Sequence, residues 1–163
     1  MAKNKEEKTN VMRVLEQKKI AYTAHTYPHE EGMAVDGVTV AKSMGFDPAI
    51  VFKTLVARGA SKQYYVFDVP VPENLDLKKA AKAVGEKSIE MIHQKELLPL
   101  TGYVHGGCSP VGMKKLFPTV FHETAENLET MIVSAGKIGY QVELAPHDLA
   151  ALVRAKFADI IVE

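Results

Sequence analysis

Apolar positions along this chain follow two periods, near 3.6 and near 2, and their alternation predicts the order of its elements. Thr9 caps a helix in which Val11, Val14 and Leu15 share a face, with an end near Lys19. Residues 22–27 read as a short strand broken by Pro28, and 29–37 as a loop with glycines, mixed charge and no sustained period. A short helix over 38–44 is closed by Gly45 and a turn at Asp47-Pro48. Strands follow over 49–57 and 64–69, joined by a polar turn as a hairpin. Asp76 opens the clearest helix, with Leu77, Ala80, Ala81 and Val84 on one face, Lys78, Lys79 and Lys82 on the other, and Gly85 at its end. A further helix over 93–98 halts at Pro99, and 101–112 is the longest glycine-rich stretch. Strands over 119–121, 131–133 and 140–144 precede a last helix that begins at Pro146 and turns Leu149, Leu152 and Val153 inward. Short strands interleaved with helices, without regular βαβ spacing, predict an α+β domain: a mixed β-sheet with helices packed on it.

Lys53 interrupts this pattern. It lies inside Ala49-Ile50-Val51-Phe52-Lys53-Thr54-Leu55-Val56-Ala57, and a period of two points it the same way as Val51 and Leu55. An ammonium on an apolar face snorkels to water, finds an anion or loses its proton. The last two outcomes are how binding sites use lysine.

Composition narrows the class. With 47% hydrophobic residues in 163, the chain can bury a sizeable core, and a single domain over 1–163 is expected. No apolar run is long enough to cross a bilayer, and the charged start has no hydrophobic region behind it, so a cytoplasmic protein without a membrane partner is expected. Cys108 is the single cysteine, which excludes an internal disulfide and a zinc knuckle. Twenty basic residues balance twenty acidic ones, so net charge neither argues for a nucleic-acid partner nor excludes one. The nearest approach to a basic patch is Lys78, Lys79, Lys82 and Lys87, with Lys114 and Lys115, a set that also reads as solvated helix surface.

The common catalytic motifs fit poorly. Gly107-Cys-Ser-Pro-Val-Gly112 has the glycine spacing of a phosphate-cradling loop, but Met113 stands where the lysine belongs. Around Ser109 the second glycine of a nucleophile elbow arrives one residue late. Cys108 with His105 as its base is a weaker reading than Cys108 as a small buried hydrophobe. His25 and His29 would share a helical face, but Pro28 argues against a helix there, and no metal or other cofactor is expected. The glycines still leave backbone that a ligand can approach closely. Ser134-Ala135-Gly136-Lys137-Ile138-Gly139 reads first as a hairpin turn, and a small polar residue at a strand end is also a common place for a ligand contact.

Several segments together resemble the YbaK/EbsC family, free-standing relatives of the editing domain of bacterial prolyl-tRNA synthetase. They are His25-Thr26-Tyr27, Val51-Phe52-Lys53-Thr54-Leu55-Val56, Leu75-Asp76-Leu77-Lys78-Lys79-Ala80-Ala81, the stretch from Thr101 to Gly112, Ser134-Ala135-Gly136-Lys137, and Phe157-Ala158-Asp159-Ile160. They run in family order over nearly the whole chain. The resemblance implies a sheet with partly barrel-like curvature flanked by helices. It also implies an aminoacyl-tRNA deacylase that removes a wrongly attached amino acid, typically cysteine or alanine, from tRNA specific for proline, with prolyl-tRNA synthetase as a candidate partner.

In that family the lysine matching Lys53 is the essential residue. A desolvated ammonium holds a phosphate of the tRNA 3′ end firmly, and the ester it positions is already activated. For cysteine-specific members the substrate's own thiol attacks the carbonyl, leaving as a cyclic thioester. By the same resemblance the backbone of Gly106 and Gly107 holds the aminoacyl group, Ser109 and Pro110 fix the loop, and Tyr27, Thr54 and Ser134 line the pocket. For Tyr27 and Thr54, simple packing is an equal reading. The chain departs from the cysteine-specific pattern at Met33-Ala34-Val35-Asp36-Gly37, where an aromatic-glycine pair is expected. Asp36 either meets the α-amino group or caps the helix that follows. Cysteine remains the favoured amino acid with alanine as the alternative, and a non-catalytic tRNA- or synthetase-binding module is a second reading.

Overall fold

The computed structural model describes residues 8–30 and 33–163, so Glu31 and Gly32 of the expected 29–37 loop lie outside the described residues. The described residues form five α-helices and eight β-strands. The helices are α1 (Asn10–Gln17), α2 (Gly37–Ser43), α3 (Leu77–Val84), α4 (Gln94–Thr101) and α5 (Pro146–Val153). The strands are β1 (Thr23–Thr26), β2 (Phe52–Gly59), β3 (Tyr64–Pro70), β4 (Ile89–Met91), β5 (Thr119–His122), β6 (Met131–Ser134), β7 (Tyr140–Leu144) and β8 (Ala155–Ala158).

The strands divide between two sheets. One is three-stranded in the order β1-β7-β6, and the other five-stranded in the order β4-β2-β3-β5-β8. The second is mixed, because β5 runs parallel to β3 and to β8 while β2 is antiparallel to β3 and β4. A parallel bridge between Val51 and Ile132 ties the two sheets together, without closing them into a barrel. Phe52, Val56, Val66 and Phe121 of the larger sheet pack with Val133, Val142 and Leu144 of the smaller one, and α1 adds Val11 and Leu15. On the other face of the larger sheet Ala57, Phe67 and Val69 meet Ala80 and Ala81 of α3. The alternation along β2 therefore serves two cores.

Local chemistry explains most element ends. Thr9 accepts from the Met12 N–H, and Asp76 from the Lys78 and Lys79 N–H groups, so both helices start at a side-chain cap. Gly85 closes α3 in the left-handed conformation. Leu77, expected on the inner face of α3, is instead 40% exposed, since the helix buries only its Ala80 and Ala81 stripe. The strand expected from residue 49 begins at Phe52, because Asp47 caps a 3-10 turn at Pro48–Ile50 by accepting from the Ala49 N–H. Pro99 does not halt α4 but sits inside it: Thr101 Oγ1 donates to the Leu97 carbonyl and left-handed Gly102 to that of Leu98, so the last turn closes around the proline. Strands β4 and β8 and a 3-10 turn at Glu123–Asn127 have no counterpart in the sequence reading.

Of the lysines weighed as a basic patch and read first as solvated helix surface, Lys78, Lys82 and Lys87 are exposed. Lys79 reaches Asp159, Glu163 and the Ile161 carbonyl, Lys114 donates to the Pro99 carbonyl, and Lys115 lies over the Phe117 ring. No helix among the described residues is long and apolar enough to cross a membrane.

Candidate active site

The site lies where the two sheets part. Strand β4 pairs with β2 only over Ala57–Gly59, so the first half of β2 has no ladder on that edge. There β2 faces β6 across a gap spanned by the Val51–Ile132 bridge. A cavity of about 450 Å3 fills the gap, a size that suits a small ligand. Its walls are Lys53, Thr54 and Leu55 of β2, Ser134 of β6, Tyr140 and Gln141 of β7, Tyr27 after β1, Ala34 to Gly37, and His105, Gly106 and Cys108 of the glycine-rich loop.

Lys53 enters this cavity half-buried. Burial draws its pKa below the ordinary lysine value, while the charges of Asp36 and Glu73 pull it back up. Neither carboxylate forms an ion pair with it among the described residues, so the ammonium remains available to an anion in the cavity. Asp36 has the capping role at least: its Oδ2 accepts from the Thr39 N–H at 3.1 Å and from the Thr39 hydroxyl at 3.2 Å, which starts α2 beside the cavity.

The glycine-rich loop divides into parts that touch the cavity and parts that hold it in place. Gly106 has φ of +89°, and an added Cβ would lie 2.6 Å from that of Ala34, so only glycine lets the loop pass there. Gly107, Ser109 and Pro110 do not line the cavity. At Gly107 an added Cβ would lie 3.0 Å from the Ile138 nitrogen and 3.3 Å from the Lys137 backbone, so the loop packs closely there. Ser109 is fully buried, and its Oγ accepts from the Val111 N–H, which fixes the turn beside buried Pro110. Tyr103, whose hydroxyl donates to the Val111 carbonyl, braces the same turn.

Cys108 does line the cavity, but burial pushes its thiol up to about 12, helped by the charge of Asp68, a direction opposite to what an activated nucleophile needs. His25 is occupied elsewhere: Nε2 lies 2.8 Å from Glu143, whose second oxygen accepts from Thr130. Among the described residues no group of three or more His, Cys, Asp or Glu side chains is placed to hold a metal ion.

The turn after β6 is the expected hairpin, with Ser134 Oγ accepting from the Gly136 N–H and Ser134 paired with Gln141. That pairing brings Gln141 into the wall, a residue that sequence reasoning missed. Tyr140 and Leu97 were missed likewise, and no local signal marks them. Tyr27 is fixed by its N–H donating to the Gly139 carbonyl, with its own carbonyl 2.9 Å from His29 Nδ1. Thr54 Oγ1 donates to Asp68 across the β2–β3 ladder.

An electropositive group, close-approach backbone and small polar side chains thus line one cavity, which suits positioning an anionic ester more than supplying a strong base. A solved structure assigned as a trans-editing enzyme for prolyl-tRNA synthetase is 25% identical, with a TM-score of 0.79 over 94% of this chain and 95% of that one. A hypothetical protein at 18% identity shares the fold with a TM-score of 0.82, over 93% of this chain and 99% of its own. A protein of Enterococcus faecalis (strain ATCC 700802 / V583) assigned as the Cys-tRNA(Pro)/Cys-tRNA(Cys) deacylase EbsC is 46% identical over 161 residues, covering 98% of each chain. The model of the aminoacyl-tRNA editing domain matches residues 29–152. With three quarters of its length matched and a near full-length relative, the chain belongs to the aminoacyl-tRNA editing domain family.

Proposed function

We propose that this chain acts in trans as a deacylase that frees tRNA specific for proline from a wrongly attached amino acid, cysteine above all. The observation that carries the reading is the half-buried, unpaired ammonium of Lys53 in a cavity that also exposes the backbone of Gly106. In this reading Lys53 holds a phosphate of the tRNA 3′ end, Gly106 receives the aminoacyl group, and Tyr27, Thr54 and Ser134 flank it. Gly107, Ser109 and Pro110 act by shaping the loop. The assignment of the Enterococcus faecalis relative supports cysteine as the edited residue.

The chemistry asks little of the protein. The substrate thiol forms a bond from sulfur to the ester carbonyl carbon, the bond to the ribose oxygen breaks, and the thiol proton ends on that oxygen. The product is a cyclic thioester, and the protein contributes mainly by holding the thiol and carbonyl in reach. Because net charge is zero, tRNA affinity from bulk electrostatics is weak, which supports a prolyl-tRNA synthetase partner that delivers the tRNA.

The test is release of amino acid from cysteinyl-tRNA(Pro), alanyl-tRNA(Pro) and cysteinyl-tRNA(Cys), side by side. Fast release of cysteine from tRNA(Pro), lost in Lys53→Ala, is the expected result. Equal rates for wild type and Lys53→Ala on all three would refute the assignment of Lys53, and tRNA binding without release would mark a recognition module.

A further inference from the structure

Asp68 is an acid in the wrong place for stability. It is 0% exposed among the apolar side chains of β3 and β5, its Oδ2 is buried without a hydrogen-bond partner, and burial pushes its pKa up to about 7. No cation lies within ion-pair distance among the described residues. A buried carboxyl left half satisfied costs free energy, and folds retain such groups chiefly near functional sites. Its one bond is to a residue of the cavity wall: Oδ1 lies 2.5 Å from the hydroxyl of Thr54, its direct partner across the ladder.

That bond fixes what Thr54 offers to a ligand. A hydroxyl has one proton and two lone pairs, and while Asp68 is ionised that proton is committed to it. Toward the cavity Thr54 is therefore an acceptor only. Gln141, on the β7 side of the same cavity, has a buried Oε1 that also lacks a partner. Asp68 Oδ2 and Gln141 Oε1 are the unpartnered buried side-chain atoms among the described residues, and both are acceptors at or directly behind the cavity wall. On this side of the cavity, away from the Lys53 ammonium, the free acceptors suit a ligand group rich in donors.

We propose that Asp68 is a positioning residue that sets the Thr54 hydroxyl as an acceptor for the α-ammonium of the aminoacyl group. The inference rests on the deacylase reading and adds the group by which the amino acid is recognised. The α-amine is not the attacking group, but as an ammonium it activates the ester and acidifies the thiol, so each ratio between amine-bearing and amine-free substrate is taken relative to the ratio of their uncatalysed release.

The experiment compares cysteinyl-tRNA(Pro) with 3-mercaptopropionyl-tRNA(Pro), which keeps the thiol and lacks the amine. Wild type is expected to favour the amine-bearing substrate in kcat/KM by about 10- to 100-fold, the worth of a hydrogen bond to a charged group. Thr54→Val and Asp68→Leu should each narrow that ratio to within about threefold, mainly through KM on the amine-bearing substrate, and the double variant should narrow it no further. Asp68→Asn, which keeps an oxygen for the Thr54 proton, should retain most of the preference. Equal handling of both substrates by wild type, or an undiminished preference in Asp68→Leu and Thr54→Val, overturns the proposal while the deacylase reading stands. Absence of release from either substrate by wild type instead overturns the deacylase reading. Thermal melting of each variant separates a lost ratio from lost folding, and the wild-type comparison needs no variant at all.

Discussion

An ammonium that has lost part of its hydration keeps its proton only while nearby charge compensates, and at Lys53 that charge comes from Asp36 and Glu73. Deacylation should therefore fall as pH rises through a Lys53 pKa lying below the ordinary lysine value. A pH–rate profile checks this, with Lys53→Arg expected to move the alkaline limb upward. Lys53→Met should lower kcat/KM by about 100-fold or more, the range seen when a positioned charge is removed, without lowering Tm. Asp68 works in the opposite direction on stability. Its folded pKa, about 7, lies above the unfolded carboxylate value, so its favourable share is fully present in acid and is lost as pH rises through the folded value. Asp68→Leu should gain more stability over wild type at pH 8 than at pH 5, as read by urea unfolding at both. Lys53 was legible in the sequence because a charge breaks the period-two pattern of its strand. Asp68 breaks the 64–69 run in the same way, yet its meaning depends on facing Thr54 across a ladder, and register is invisible until the hairpin forms.

Elements place these residues, and their ends are where sequence and structure part company. Helices with side-chain caps at Thr9 and Asp76 were legible from local chemistry alone. Strand β4 was not, since it is three residues long and exists only by pairing with the far end of β2. The shortness of β4 is also what leaves the first half of β2 open to the cavity. Asp36 joins element to site, and substitutions divide its two roles. Asp36→Asn keeps the cap and removes the charge, whereas Asp36→Ala removes both. Unfolding should show a loss of about 0.5–2 kcal/mol for alanine and little for asparagine. A rise in KM shared by both variants would assign the charge to substrate, and a rise in alanine alone would assign the cap. Gly106→Ala meets a left-handed φ and the side chain of Ala34, so it should cost about 1–3 kcal/mol and impair release.

At the scale of the whole molecule, zero net charge leaves little long-range attraction for tRNA. The log–log dependence of apparent tRNA affinity on salt should be shallow, with a slope of about −0.7 for each single-stranded phosphate contact. Lys53→Met should reduce its magnitude by about that amount, and a slope of −4 or steeper in wild type would point to an extended basic footprint. The mixed α+β character was legible in the succession of periods. The division into two sheets was not, because it depends on which strands pair at long range. That division reaches beyond geometry. The cavity walls come from both sheets, whose backbones meet at the Val51–Ile132 bridge, so a bound aminoacyl end works as a removable cross-link between two layers. Amide exchange in β6 and β7 should slow when substrate analogue binds, even at positions that touch no ligand, and the folded chain then reports occupancy of its site through the rigidity of its seam.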